Sequence, residues 1–397
     1  MASFLLLVPP LTGHINPLLA VADELQKRGH SVAWVGYRRV LEQHLPADAV
    51  CHALPEMDST AIEERTQQVR GLESIKFFYE EFCFPMAEHS LAPLEHIVRE
   101  HTPDILVCDH QMLAGALVAR KLGLVWISSV TTSASILKPH DMLNTWLLEK
   151  LAEFQLRYGA DTVVERPDFS PYGCIVFSSR ELVGEECELV DAPYHFVGPA
   201  IGSRCQDIEF PWALLEEGRR KILISLGTVS RDRSMRFYEV MIEALGGCEL
   251  QVIMVAPEDF VNEFEGTVPD NFIVCPRVPQ LELLPYVDLV VSHSGHNTVC
   301  ETLSHGKPMV LAPIRDDQPV IARQVVNAGA GLSVRFGKLT AATARKTIDQ
   351  VLGDASFREN AERIQQSFQA LHGAEQAASI MESLAENNKR DYAGCSC

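Results

Sequence analysis

Apolar residues in this chain gather in short unbroken runs rather than in strict alternation. Ser3–Val8 is one such run. The loop Pro9-Pro10-Leu11-Thr12-Gly13 follows it, and from Ile15 to Arg28 the positions Leu18, Leu19, Val21, Ala22 and Leu25 recur with helical spacing. Gly29 stands where a helix C′ residue belongs, and Ser31–Gly36 is a second run. The unit returns further on: Asp104–Cys108 and Val125–Ser129 are predicted strands flanking a helix over Met112–Leu122. In the second half Lys221–Leu226, Gln251–Val255, Leu289–Ser292 and Met309–Ala312 read as strands. Buried strands alternating with helices predict an α/β fold whose parallel sheets are covered on both faces. A helical pattern runs from Ser356 to Leu384, and the polar residues from Glu386 onward predict a frayed end.

At 397 residues the chain is long enough for two domains. A polar, proline-containing stretch follows Val197-Gly198-Pro199. The linker is placed at 206–220, the first domain at 1–205 and the second at 221–370, with 371–397 as a closing helix and tail. No repeat of fixed period is present, and nothing in the sequence speaks to oligomeric state. Against 34 Lys+Arg stand 53 Asp+Glu, a net charge of −19, which argues against nucleic acid or an anionic membrane surface as the main partner. No run approaches the roughly 20 apolar residues of a membrane span, and the opening run lacks the basic start of a signal peptide. The eleven cysteines are scattered without a Cys-x-x-Cys pair, so a reduced, cytoplasmic protein is expected.

The segment richest in chemistry is Ser292-His293-Ser294-Gly295-His296-Asn297-Thr298-Val299-Cys300-Glu301. A strand ends at Ser292, small residues turn the chain, and a helix begins near His296 and stops at Gly306, ahead of Pro308. Ligands of open parallel sheets bind beyond the carboxyl ends of strands, where backbone N–H groups and the helix dipole hold phosphate without any lysine. No Lys or Arg lies between Arg277 and Lys307, so a phosphate site here uses amides, His293 and the Asn297 and Thr298 side chains. Glu301, one turn beyond Asn297, suits ribose hydroxyls. The competing reading of these residues is a plain N-cap cluster. The next strand ends in Ile314-Arg315-Asp316-Asp317-Gln318, which puts a carboxylate and an amide within reach of sugar hydroxyls, and Arg277-Val278-Pro279-Gln280 upstream can line a base pocket.

The run from Arg277 to Gln318 resembles the donor-binding signature of family 1 glycosyltransferases, enzymes of the GT-B fold, and is most similar in flavour to bacterial macrolide and carotenoid (zeaxanthin) glucosyltransferases. Pro-Gln, His-x-Gly-x-Asn-Thr, the following Glu, Gly-x-Pro and Asp-Gln stand in the family's order and spacing. The resemblance implies two Rossmann-like domains facing a cleft. It further implies that His293, Gly295, Asn297 and Thr298 hold the diphosphate, Glu301 the ribose, Gln280 and Val278 the nucleobase side, and Asp317 and Gln318 the sugar. Thr228, in Ser225-Leu226-Gly227-Thr228, matches another phosphate-contacting position. Arg277 stands where many members carry a Trp that stacks on uracil, a role a guanidinium can also fill. His296 replaces a frequent Trp on the sugar side.

Transfer to a hydroxyl needs a base, because a neutral alcohol is a weak nucleophile. His14, in Gly13-His14-Ile15-Asn16-Pro17 at the mouth of the first strand–helix unit, sits near a helix N-terminus that disfavours its charged form. Asp109 follows a strand that parallel pairing brings to the same sheet edge. From residues alone His14 reads equally as a cap or packing histidine; the family pattern implies His14 as general base and Asp109 as its partner. For the acceptor, the aromatic stretch Phe77, Phe78, Tyr79, Phe82 and Phe84 reads as helix core, with Phe78 and Phe82 one turn apart as candidate cleft walls. The segment Thr131–Leu143, with Thr132, and Trp146 are further candidates, and a lipophilic acceptor is expected.

The chain has no Gly-x-Gly-x-x-Gly, no phosphate-loop lysine motif and no Gly-x-Ser-x-Gly. His293 and His296 make a poor zinc pair because the turn splits their rings, so no metal site is expected. No cofactor is expected beyond a nucleotide sugar, UDP-glucose by the resemblance, as co-substrate. A nucleotide-sugar epimerase of similar fold and a non-catalytic sugar-nucleotide-binding protein are the alternatives.

Overall fold

The structure is a computed structural model describing residues 1–57, 69, 72–138, 141–184, 188–202, 208–227, 235–263 and 268–394. The chain forms two compact units. The first comprises Met1–Ser179, Glu186–Ser203 and Leu371–Cys397, the second Arg180–Glu185 and Arg204–Ala370.

The first unit holds a sheet of β1 (Ser3–Leu7), β2 (Ser31–Tyr37), β3 (Val50–Leu54), β4 (Ile105–Asp109), β5 (Trp126–Val130), β6 (Cys174–Val176) and β7 (Tyr194–Phe196). The order is β3-β2-β1-β4-β5-β6-β7, with every pairing parallel. Both faces are covered, which is why the strands read as unbroken apolar runs. Successive side chains still alternate between two cores. Phe4, Leu6 and Val8 of the first strand and exit join Val32, Trp34, Ile105, Val107 and Ile127 in one core, under the helix Thr12–Lys27. Leu5, Leu7, Ala33, Val35, Leu106, Cys108 and Trp126 fill the other, under the helices Phe84–His101 and Leu113–Leu122. By this alternation Asp109, two residues past Val107, falls on the face that carries His14.

The second unit repeats the plan with β8 (Lys221–Ser225), β9 (Gln251–Val255), β10 (Phe272–Cys275), β11 (Leu289–Ser292), β12 (Met309–Leu311) and β13 (Gly331–Ser333), in the order β10-β9-β8-β11-β12-β13. The runs expected as strands form β1, β2, β4, β5, β8, β9, β11 and β12. The remaining strands went unanticipated: β3, β7, β10 and β13 lie at sheet margins and are partly exposed, so their apolar signal is diluted, and β6 is only three residues long.

The helical pattern at the C-terminus is interrupted once. The helical pattern from Ser356 to Leu384 is two helices, Ala355–Leu371 and Gly373–Gly394. They break at His372 (φ 57°) and Gly373 (φ 45°), where left-handed backbone ends the first helix. The Gly373 N–H donates to the Val197 carbonyl at 2.8 Å, and a Cβ there would stand 2.3 Å from the Pro199 carbonyl oxygen, so only glycine fits. The second helix runs past Glu386 to Gly394, and residues 395–397 lie outside the described residues. Ala377, Ala378, Met381 and Ala385 enter the core beside Phe4 and Leu6. Glu382 takes Arg28 at 2.5 Å and His30 at 2.7 Å, and Lys389 Nζ lies 3.1 Å from Asp104. Among the described residues no helix is long and apolar enough to cross a membrane.

Candidate active site

In both sheets the strand order reverses beside the first strand, between β1 and β4 and between β8 and β11. Connections leaving two such strands run to opposite faces and open a crevice at the carboxyl edge. The candidate residues collect at these two places.

At the first, His14 lies in the opening turn of the helix Thr12–Lys27. Its Nδ1 is 2.8 Å from Asp109 Oδ2 and 2.6 Å from Thr131 Oγ1, and Thr131 Oγ1 is 3.3 Å from the same Oδ2. The Asp109 side chain is fully buried, while that of His14 keeps 13% exposure and can meet a ligand. Burial by itself would raise the Asp109 carboxyl. The charges of His14 and His110, the bond to His14 and the Gln111 N–H at 2.9 Å outweigh it and hold the group below its ordinary value. Asp109 is therefore a carboxylate and can only accept. A bare Nδ1 lone pair held 2.8 Å from that anion would repel it, so Nδ1 carries the proton and Nε2 is left as the basic nitrogen.

His110 lies beneath the pair, its ring 5.8 Å from that of His14 and inclined by 23°. Burial pulls it below the ordinary histidine range despite the Asp109 charge, so the ring is neutral. Its Nδ1–H donates to the Ser129 carbonyl at 3.2 Å, and Nε2 accepts from Ser135 Oγ at 2.8 Å. Donor atoms of His14, Asp109 and His110 lie within 4.8 Å of one another.

The acceptor candidates sit in the same unit. Phe78 and Phe82 belong to a π-helical stretch, Phe78–Cys83, between the helices Leu72–Phe77 and Phe84–His101, and their rings stack at 5.3 Å. Tyr79, Phe82 and Phe84 pack against the core, as the helix-core reading expected, and so does the acceptor candidate Trp146. Trp146 meets Tyr79 at 6.3 Å and carries Lys76 Nζ over its ring at 5.2 Å. Thr132 is buried, its hydroxyl accepting the Ala134 N–H at 3.4 Å.

At the second crevice His293 follows β11. A Cβ on Gly227 would stand 2.7 Å from its Cε1, and one on Gly295 2.6 Å from its Nε2, so the ring is seated between two glycines. Gly227 (φ 66°) and Ser294 (φ 74°) are left-handed. Burial lowers His293 to about 4, although the Asp317 charge and a hydrogen bond to the Ser225 backbone oppose the shift; the Arg315 charge adds to it. The helix His296–Ser304 starts on Gly295, an N-cap with no side chain to close the first turn. His296 is buried with Nε2 3.5 Å from Cys300 Sγ, and Asn297 and Thr298 are half-buried in the same turn. Gln280 Nε2 donates to Glu301 Oε2 at 2.6 Å, which joins two residues of the signature. Val278 is buried and Arg277 exposed. Gln318 Oε1 accepts the N–H groups of Ile314 and Arg315 at 2.9 and 3.1 Å, so it shapes the loop that presents Asp317. Thr228 lies outside the described residues.

Three neighbours escaped the sequence reading. Thr131 was grouped with an acceptor segment rather than with the base, though strand alternation past Ile127 points to it. His110 was set aside for Asp109. Arg315, from the loop after β12, acts electrically on His293, a proximity no local pattern reports.

Residues 239–384 match the family described as erythromycin biosynthesis protein CIII-like, C-terminal domain. The chain is 28% identical to an uncharacterized UDP-glucosyltransferase, YojK, of Bacillus subtilis (strain 168), covering 98% of this chain and 99% of that protein. It is 26% identical to demethyllactenocin mycarosyltransferase of Streptomyces fradiae, covering 97% and 87%. The crystal structure of the glycosyltransferase VinC in complex with dTDP superposes with a TM-score of 0.75 at 19% identity, covering 97% of this chain and 100% of that one. With the shared fold and the signature in place, the chain is a glycosyltransferase of the GT-B fold, similar along nearly its whole length to the family 1 enzymes.

Proposed function

We propose that this glycosyltransferase is inverting and metal-independent, and that it moves glucose from UDP-glucose onto a hydroxyl of a small lipophilic natural product such as a macrolide or carotenoid. The observation that carries the reading is the 2.8 Å pair of His14 with the buried Asp109 carboxylate. His14 Nε2 takes the proton of the acceptor hydroxyl, whose oxygen attacks the anomeric carbon as the bond to the diphosphate breaks on the opposite face. An α-linked donor yields a β-glycoside. Asp109 steadies the imidazolium that forms.

The second unit holds the nucleotide, with Glu301 and Gln280 at the ribose and base and Asp317 and Gln318 at the sugar. The turn from His293 to Thr298 meets the diphosphate, whose charge encourages His293 to take up a proton on binding. Such help to a leaving group lowers a barrier by ~3 kcal/mol. The Bacillus relative's description favours UDP-glucose. A dTDP-linked deoxysugar is the second reading, favoured by the dTDP bound to VinC and by the mycarosyl relative.

His14→Ala is expected to cut turnover by roughly 10²-fold or more while leaving nucleotide affinity by calorimetry within twofold. An equal loss of both would remove the base role. Product NMR should show inverted anomeric configuration and EDTA should leave the rate unchanged. Retention, or an EDTA-sensitive rate, would refute the corresponding part of the mechanism. A thermal-shift panel of UDP- and dTDP-sugars decides the donor.

A further inference from the structure

We propose that Thr131 is a positioning residue for the His14 base, and that His110 anchors the loop that carries it. The inference rests on the reading of His14 as the base. Strand β5 pairs with β4 in the register Asp109↔Ser129. On β5 the positions Ile127 and Ser129 alternate onto the face shared with Val107 and Asp109, and Thr131, one residue beyond the strand, continues that series. Its hydroxyl therefore arrives where the carboxylate and the imidazole already meet.

Thr131 is 3% exposed and Asp109 1%, so water does not compete for these bonds. His14 Nδ1–H faces two acceptors, Asp109 Oδ2 at 2.8 Å and Thr131 Oγ1 at 2.6 Å. The Thr131 O–H has Asp109 Oδ2 at 3.3 Å, which makes the hydroxyl an acceptor toward the ring and a donor toward the carboxylate. One carboxylate contact lets an imidazole pivot; two acceptors on different strands define the plane of the ring as well as its tautomer. When Nε2 takes a proton, Nδ1–H becomes the stronger, charge-assisted donor, and both bonds tighten together.

His110 keeps Thr131 in place from below. Its Nδ1–H holds the Ser129 carbonyl and its Nε2 holds Ser135 Oγ, so one neutral ring grips the backbone just before Thr131 and the side chain just after it.

The test compares Thr131→Val, which keeps shape and removes the hydroxyl, with Thr131→Ser, which keeps the hydroxyl. In protein carrying ¹⁵N-labelled histidine, the His14 ring signals are identified by their loss in His14→Ala. Asp109 keeps the Nδ1–H tautomer in all three proteins; wild type and Thr131→Ser should share one sharp, downfield Nδ1–H proton signal, and Thr131→Val should show it shifted upfield and broadened by pivoting of the ring. Turnover should fall about tenfold in Thr131→Val, with acceptor KM and nucleotide Kd within twofold, and recover in Thr131→Ser. An unchanged Nδ1–H proton signal in Thr131→Val, or a Thr131→Ser variant as impaired as Thr131→Val, would overturn the proposal. Should Thr131→Val not fold, Thr131→Ala takes its place with the same readings. Full turnover in His14→Ala would instead sink the base reading, while the Nδ1–H signal would still judge Thr131.

Discussion

The two crevices are built on one strand order and each carries a histidine, yet the histidines have opposite surroundings. His14 leaves the first strand of its sheet, keeps some exposure, and gives its Nδ1–H to a buried carboxylate and a hydroxyl. His293 leaves the fourth strand of its sheet and lies between Gly227 and Gly295, bonded to the backbone of Ser225. A carboxylate partner fixes the tautomer and leaves the far nitrogen open to a proton. Desolvation, with the Ser225 backbone and the Ser292 hydroxyl rather than a carboxylate bonded to the ring, opposes charge and leaves a neutral polar group. In the function proposed above, the partners of each ring, more than the presence of histidine at a strand exit, divide proton transfer from anion binding.

The sharpest way to break this comparison is to neutralise the carboxylate. Asp109→Asn should lower turnover by about 10³-fold, close to 4 kcal/mol, because the amide no longer fixes the tautomer, while nucleotide affinity holds. A variant with near-normal turnover would deprive Asp109 of its role. Acid should act next, and through the other histidine. His293 is held near 4 in the folded chain against about 6.5 when unfolded, so the unfolded chain binds the extra proton first. Stability is whole above about pH 6.5 and is lost as pH falls toward 4, by about 3 kcal/mol from this group. Burial of His101 and His110 adds in the same direction. Urea unfolding of wild type and His293→Asn at pH 7 and pH 4.5 measures it, and equal acid sensitivity in the two would contradict the assignment. The smallest effect is Gly295→Ala. A Cβ 2.6 Å from His293 Nε2 must displace the ring, costing about 1–3 kcal/mol of stability and weakening nucleotide binding about tenfold, with the tautomer of His14 untouched.

Much of this was visible in the order of residues. Unbroken runs such as Ser3–Val8 and Leu289–Ser292 announced central parallel strands, and Gly29 and Gly306 announced helix ends. The signature from Arg277 to Gln318 placed its residues at strand exits, where β11, β12 and their loops present them. Short strands such as β7 and β13 were missed because a half-exposed three-residue segment carries almost no period. The apolar spacing runs through His372 without marking the break; the turn is imposed by the backbone around Val197 and Pro199, far away in sequence.

The sequence by itself determined the alternation of strand and helix, the class of fold and the strand–turn–helix over Leu289–Ser304, because those follow from neighbours within a few residues. That Asp109, Thr131 and His110 converge on one imidazole depended on which strands lie side by side and in what register. So did the two glycines that seat His293 and the approach of Arg315. Local propensity carries no record of such pairings; they are settled when whole apolar faces are buried against one another, and only then do hydrogen bonds across roughly a hundred residues acquire their geometry.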